Sequence, residues 1–181
     1  MNIFLFLKNK YEICNIKIDF SLMKTVILYM SKHGSTAKMV EMLKDRLTNS
    51  EINTINLKKQ KSPDISNYDE VIIGGSIHVG NIQKRVTKFV ENNMNVLIIK
   101  KIGLFLCCMY EGEKRVEQFN NSFPEKLRSH SSANGLFGGE FVFEKMNFLE
   151  KAIVKKVSGY SSTVSKIDVK AIDEFVEKMQ E

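Results

Sequence analysis

Thr25-Val26-Ile27-Leu28-Tyr29-Met30 is an apolar run of strand length, rich in β-branched residues, that stops at the polar hexapeptide Ser31-Lys32-His33-Gly34-Ser35-Thr36. A run without polar alternation suits a strand covered on both faces, as in a parallel sheet. After the hexapeptide the period becomes helical: Met39, Val40, Leu43 and Leu47 share a stripe, with Lys38, Glu41, Lys44 and Asp45 turned away from it. Strand, short loop and helix open a βαβ unit. A parallel neighbour strand must then return through a right-handed crossover, which leaves few topologies.

The pattern recurs along the chain. Ile52–Leu57 reads as a second strand, followed by a polar connection through Pro63 and Asp64. Val71-Ile72-Ile73-Gly74 is a third strand, and Ile82, Val86, Phe89 and Val90 mark a second helix. Ile102–Cys108 is a fourth strand; Val116, Phe119 and Phe123 mark a helix that Pro124 should end. Gly135–Phe143 is expected as a fifth strand interrupted by glycines, and Met146, Leu149, Ile153 and Val157 as the stripe of another helix. Asp168 is placed to cap a last helix that buries Val169, Ile172, Val176 and Met179. The expected class is α/β, a doubly wound parallel sheet of five strands with helices on both faces. In such sheets ligands sit beyond the carboxyl ends of the strands. The loops 31–36, 75–81 and 107–112 leave strand ends there.

A chain of 181 residues with 43% hydrophobic and 27% charged residues fits one globular domain. Met23, Lys24 and a strong strand follow one another directly, so residues 1–22 are expected to be an accessory extension or a mis-assigned start, and residues 23–181 the domain. Within the extension, Ile13–Phe20 alternates well enough to add an edge strand. The apolar run Ile3–Leu7 lacks the basic flank and cleavage site of a secretory signal. Three cysteines, Cys14, Cys107 and Cys108, make no disulfide framework, which suits a reducing cytoplasm. The formal net charge is +6, but the lysines are scattered and no basic run is interleaved with aromatics. Nucleic acid is therefore not an expected partner.

Ser31, Lys32, His33, Gly34, Ser35 and Thr36 stand where a strand hands over to a helix. The first helical amides have no internal partners and carry about half a positive charge together. Three hydroxyls around a glycine at that place make an anion nest. The dinucleotide pattern Gly-x-Gly-x-x-Gly is absent from the loop. Gly75-Ser76-Ile77-His78-Val79-Gly80 has the glycine spacing of a P-loop, but Asn81 and Ile82 replace its Lys and Ser/Thr. Without that lysine a triphosphate is disfavoured and a monophosphate favoured.

Ser-x-x-Gly-x-Thr after the first strand, with Gly74-Gly75-Ser76 closing the third, resembles the flavodoxin family. The resemblance covers about Met23 to Met179. It is strongest toward the menaquinone-dependent protoporphyrinogen oxidase group, through Met23-Lys24-Thr25, Tyr68-Asp69-x-Val71-Ile72-Ile73-Gly74-x-Ser76-Ile77 and Lys155-Lys156-Val157-Ser158-Gly159. It implies the flavodoxin-like strand order 2-1-3-4-5 and an FMN cofactor. The phosphate would lie on residues 31–36, and the flavin ring between Ser76, Ile77, His78, Val79, Gly80 and Asn81 on one side and Cys107, Cys108, Met109, Tyr110 and Glu111 on the other. His78 and Tyr110 occupy positions that suit contact with the ring, and no Trp exists to stack there. His33 lies in the phosphate loop itself; His130, among serines, reads as solvated loop, and the three histidines are too dispersed for a metal site. Cys107-Cys108 reads first as a buried apolar pair and second as a thiol tuning the flavin.

No residue pattern points to hydrolysis, and no catalytic side chain is assigned; the redox chemistry would belong to the cofactor. The resemblance implies transfer of electrons through the flavin to or from a redox partner protein or a quinone. Carriers of this fold are commonly acidic, unlike this chain at +6. The stretch between Cys108 and Gly135, however, is shorter and more polar than in the oxidase group. A carrier or general oxidoreductase is therefore placed ahead of a protoporphyrinogen IX dehydrogenase. Lys151, Lys155 and Lys156 lie beside the Met146–Val157 stripe, an ordinary solvated face by default and a peripheral membrane contact as the alternative.

Overall fold

A computed structural model describes residues 22–181. The expectations for residues 1–22, including an edge strand at Ile13–Phe20, fall almost wholly outside the described residues. Five strands build the main sheet: β1 (Met23–Tyr29), β2 (Ser50–Asn56), β3 (Glu70–His78), β5 (Lys101–Cys107) and β6 (Ala133–Leu136). They run parallel in the order β2-β1-β3-β5-β6. Between β3 and β5 the two-residue strand β4 (Asn81–Ile82) folds back antiparallel on β3. With β4 left out of the count, the order is the expected 2-1-3-4-5.

Two apolar layers hold helices to the sheet. On one face Val26, Leu28, Ile73, Leu104 and Leu106 pack with Val86, Phe89 and Val90 of α2 (Lys84–Leu97) and Phe119 of α3 (Gly112–Ser122). On the other face Ile27, Ile72 and Phe105 pack with Met39, Val40 and Leu43 of α1 (Ser35–Arg46). The same layer takes in Ile172, Phe175, Val176 and Met179 of α6 (Val169–Gln180). Alternate residues of each strand thus feed opposite cores, which is why these strands are apolar throughout. At the amino ends of the strands, the buried Glu70 accepts from Thr25 Oγ1 at 2.6 Å and pairs with Lys101 Nζ at 3.3 Å.

Several details depart from the sequence pattern: β3 runs on to His78, past the expected end at Gly74, and Val169, expected on the buried side of the last helix, is 44% exposed. Ile82 belongs to β4, and α2 begins at Lys84. Phe123 does end α3, but Pro124 immediately opens a short helix, α4 (Glu125–His130). Gly135–Phe143 is two strands. After β6 the chain turns at Gly138, where φ is +73° and a Cβ would lie 1.9 Å from the Lys166 carbonyl. It then leaves the sheet as β7 (Gly138–Phe141), which pairs antiparallel with β8 (Val164–Ile167). Between β7 and β8 lie a 3-10 turn (Phe143–Lys145) and α5 (Phe148–Ser158). None of the α5 side chains is buried.

Candidate functional site

The carboxyl ends of β1, β3 and β5 open on one edge of the sheet, and the three loops expected to hold a ligand meet there. The first runs from Ser31 to Thr36. Gly34 has φ +99°, a left-handed conformation that L side chains rarely adopt. It lets Gly34 N donate to Ser31 Oγ at 3.2 Å and starts α1 abruptly. No side chain caps α1, and its first turn holds no acidic residue. Helix-start amides lack internal partners, and those of α1 carry no side-chain cap to answer them. The Thr36 hydroxyl is sealed from solvent, with the Cys107 thiol as its neighbour. Lys145 Nζ stands 3.2 Å from where a Gly34 Cβ would be. An uncapped helix start with ammonium groups beside it fits a phosphate dianion.

The second loop continues β3. Gly74 lies against the Phe105 ring, 2.2 Å from an added Cβ, so no side chain fits there. Gln83, at the start of α2, accepts from Ser76 N at 2.9 Å. Its amide also donates to Ser76 Oγ at 2.7 Å and to the Met30 carbonyl at 3.2 Å. One side chain thus ties the second loop to the end of β1. Val79 and Gly80 form the two-residue turn between His78 and Asn81, with φ of 51° and 83°. Positive φ at both central positions is the mark of a type I′ turn, and a β-branched residue is strained there. Val79 is also 85% exposed.

His78 is brought to the first loop, its ring centroid 6.1 Å from that of His33. Burial, followed by the charges of His33 and Lys32, lowers the His78 pKa from its ordinary value. Glu150 of α5 reaches the same place. Its carboxylate accepts from the Lys32 ammonium, and Oε2 lies 3.1 Å from His33 Nε2. The Lys32 hydrogen bond, helped by the Asn147 amide, holds the Glu150 carboxyl down at about 2.

The third loop follows β5. Cys107 and Cys108 are both buried, and burial pushes the Cys107 thiol up to about 12. Burial raises Cys108 as well. Neither is a thiolate near neutral pH, as a packing role requires. Met109 and Tyr110 are half-buried, and Lys114 Nζ lies 4.1 Å from the Tyr110 ring centroid. Glu111 is held by Lys166 at 2.6 Å. A cavity of about 490 Å³ adjoins this loop, lined among others by Met109, Tyr110, Arg115, Lys166 and Asp168. A second, of about 330 Å³, lies by α3 and α4, away from the three loops.

Ser31–Thr36, Ser76–Asn81 and Cys107–Glu111 are therefore neighbours in space. His130 lies elsewhere, Nε2 2.9 Å from the Lys100 carbonyl. Gln83, Lys145 and Glu150 join the site without having been anticipated. Gln83 follows Gly75–Asn81 closely and was within reach of inspection. Glu150 lies far along the chain, and no local pattern marks it. Among the described residues no group of His, Cys, Asp and Glu could hold a metal.

Comparison with known proteins bears on this edge of the sheet. The family described as "Flavodoxin domain" matches residues 26–166. The protoporphyrinogen IX dehydrogenase (quinone) of Escherichia coli strain K12 is 25% identical over 148 residues, covering 76% of this chain and 81% of that protein. The structure of oxidised flavodoxin 1 from Bacillus cereus superposes with a TM-score of 0.55 at 20% identity, covering 87% of this chain and 97% of that one. Part of the rubredoxin oxygen:oxidoreductase of Desulfovibrio gigas is similar as well, with a TM-score of 0.52 at 18% identity, over 87% of this chain and 37% of that one. At these identities the structural likeness is one of fold.

Proposed function

Since the chain belongs to the flavodoxin domain family, we propose that it is an FMN-dependent redox protein, with the flavin phosphate on residues 31–36 and the ring between residues 76–81 and 107–111. The observation that carries this reading is the start of α1, where uncapped helical amides, the left-handed Gly34 and the Lys145 ammonium come together. When bound, FMN supplies the electron transfer. The chain's own residues bind and orient. The α1 amides and the hydroxyls around Gly34 donate to the phosphate oxygens, and Lys145 adds positive charge beside them. Gln83 holds Ser76 against the end of β1, so that the backbone of the second loop presents fixed donors and acceptors. His78 and Tyr110 flank the ring. His78, disfavoured as a cation by burial, is neutral near pH 7 and adds no positive charge there.

The partner is a redox protein or a quinone, and the carrier reading stands ahead of an enzyme with its own substrate. The 25% identity to the E. coli dehydrogenase favours the second reading, oxidation of protoporphyrinogen IX with a quinone as acceptor. The first test is whether the purified protein is yellow and releases FMN on denaturation; a colourless protein that ignores added FMN overturns the proposal. Gly34→Ala puts a Cβ on a left-handed residue and should weaken FMN binding by about tenfold or more, with about 1 kcal/mol of stability lost. Parent-like affinity would move the phosphate elsewhere. Anaerobic mixing with protoporphyrinogen IX and a quinone, followed by porphyrin fluorescence, separates the two readings: turnover selects the dehydrogenase, and reduction by a flavodoxin reductase without turnover selects the carrier.

A further inference from the structure

We infer that the outward face of α5 is a docking surface for an anionic lipid bilayer. A surface helix of a globular protein normally turns its apolar stripe to the core. In α5 the half-buried positions are Glu150, Lys151, Val154 and Ser158, while the other large apolar residues are exposed. Phe148 is 88% exposed, Leu149 68%, Val157 65% and Ile153 40%. Leu149, Ile153 and Val157 repeat every fourth residue and form one ridge, with Phe148 at its amino-terminal end. Of the eleven large hydrophobic side chains exposed among the described residues, four lie on this helix of 11 residues. Exposed apolar residues scattered singly need no explanation, but a cluster on one helix marks a contact.

The helix is built to persist without burial. Asn147 and Glu150 form a reciprocal capping box, and Gly159 ends the helix in the left-handed conformation. Its charges choose the partner. Lys155 and Lys156 are exposed beside the ridge, and the one carboxylate of the helix, Glu150, is turned to Lys32 and His33. The outer face is thus apolar and positive, with no acid. A second copy of that face would bring lysine against lysine, so self-pairing is disfavoured. An apolar ridge flanked by lysines whose stems can lie along lipid while the ammonium groups meet headgroups is the pattern of an interfacial helix. Its area is small, so binding should be reversible and sensitive to salt. Because Glu150 joins α5 to residues 32 and 33, the bilayer would sit close to the phosphate loop. The docking does not depend on the cofactor reading and would survive its failure.

The test uses the full chain with vesicles of phosphatidylcholine alone or mixed in equal parts with phosphatidylglycerol, read by flotation at low and high salt. The parent should float with the mixed vesicles, far less with the neutral ones, and lose binding at high salt. Leu149→Glu with Ile153→Glu should reduce binding by about tenfold or more at an unchanged thermal midpoint. Lys155→Glu with Lys156→Glu should abolish the preference for the anionic lipid. Lys58→Glu with Lys59→Glu, an equal charge change on another exposed segment, should bind like the parent. The inference is overturned if the parent ignores anionic vesicles, if the Leu149/Ile153 variant binds unchanged, or if the Lys58/Lys59 variant loses as much as the Lys155/Lys156 variant. Binding of an acidic protein through α5 by a chain that ignores vesicles would likewise overturn it in favour of a protein partner.

Discussion

Val79 pays a conformational penalty in full view of solvent. At φ 51° it is the one non-glycine residue with positive φ among the described residues, and its 85% exposure leaves little packing to offset the strain. Strain without local compensation is commonly kept at functional loops. Val79→Asn, which tolerates that conformation, should raise stability by about 1 kcal/mol in a denaturant titration. The neighbouring His78 and the distant Glu150 both weigh on the acid side of the stability curve, Glu150 together with Asp64, Glu111 and Glu144, whose carboxyls are also held below their ordinary values. The folded His78 pKa lies below its ordinary 6.5, so the unfolded chain takes the proton more readily. Stability is then complete above 6.5 and falls as the pH drops below it. Glu150, at about 2 against an ordinary 4.5, contributes fully above 4.5 and loses that contribution as the pH falls toward 2. Thermal midpoints should decline in two stages on acidification, and His78→Gln should remove the upper one. Residues of the first loop were legible because strand, polar hexapeptide and helix adjoin in sequence. Glu150 was not, because it acts on Lys32, 118 positions away; Gln83 stands close to Ser76 in sequence, but its tie to Met30 spans 53 positions and leaves no local mark.

The strands of the main sheet were the most legible elements, since residues covered on both faces leave unbroken apolar runs. β7 and β8 were not, because they are four residues each and are defined by pairing with one another. The α5 stripe was legible as a stripe, but its direction was not. Periodicity reports that a face is apolar and says nothing of what it faces. The same helix offers a test at this scale. Asn147→Ala removes the capping box at a cost of about 0.5–2 kcal/mol to the helix. With no α5 side chain buried, the loss should stay local. Amide exchange should quicken across Phe148–Ser158 while the global melting midpoint holds. A fall in the global midpoint would mean that α5 supports the core.

Across the whole molecule, the layer of α1 and α6 and the excursion after β6 are joined to the sheet in different ways. Phe105 stacks on Phe137 with centroids 5.0 Å apart, and Phe137 meets Phe175 edge-on at 5.3 Å. Gly74 and Gly135 leave the space these rings occupy, so Gly74, in the middle of β3, serves the core as well as the approach to the second loop. Phe105→Ala should cost about 3–5 kcal/mol in urea denaturation, a large part of the stability of a domain this size. A loss under about 1 kcal/mol would show that the layer collapses into the cavity. The excursion holding β7, α5 and β8 is joined differently. Asp168 N donates to the Phe137 carbonyl at 2.9 Å, so the chain leaves and rejoins the layer at one point. Everything between is a closed ring on the rim of the fold, and widening such a ring costs only about 0.6 kcal/mol per doubling of its length. Lengthening that ring should leave the register of the five parallel strands untouched, whereas replacing it would strip Lys145 and Glu150 from the first loop.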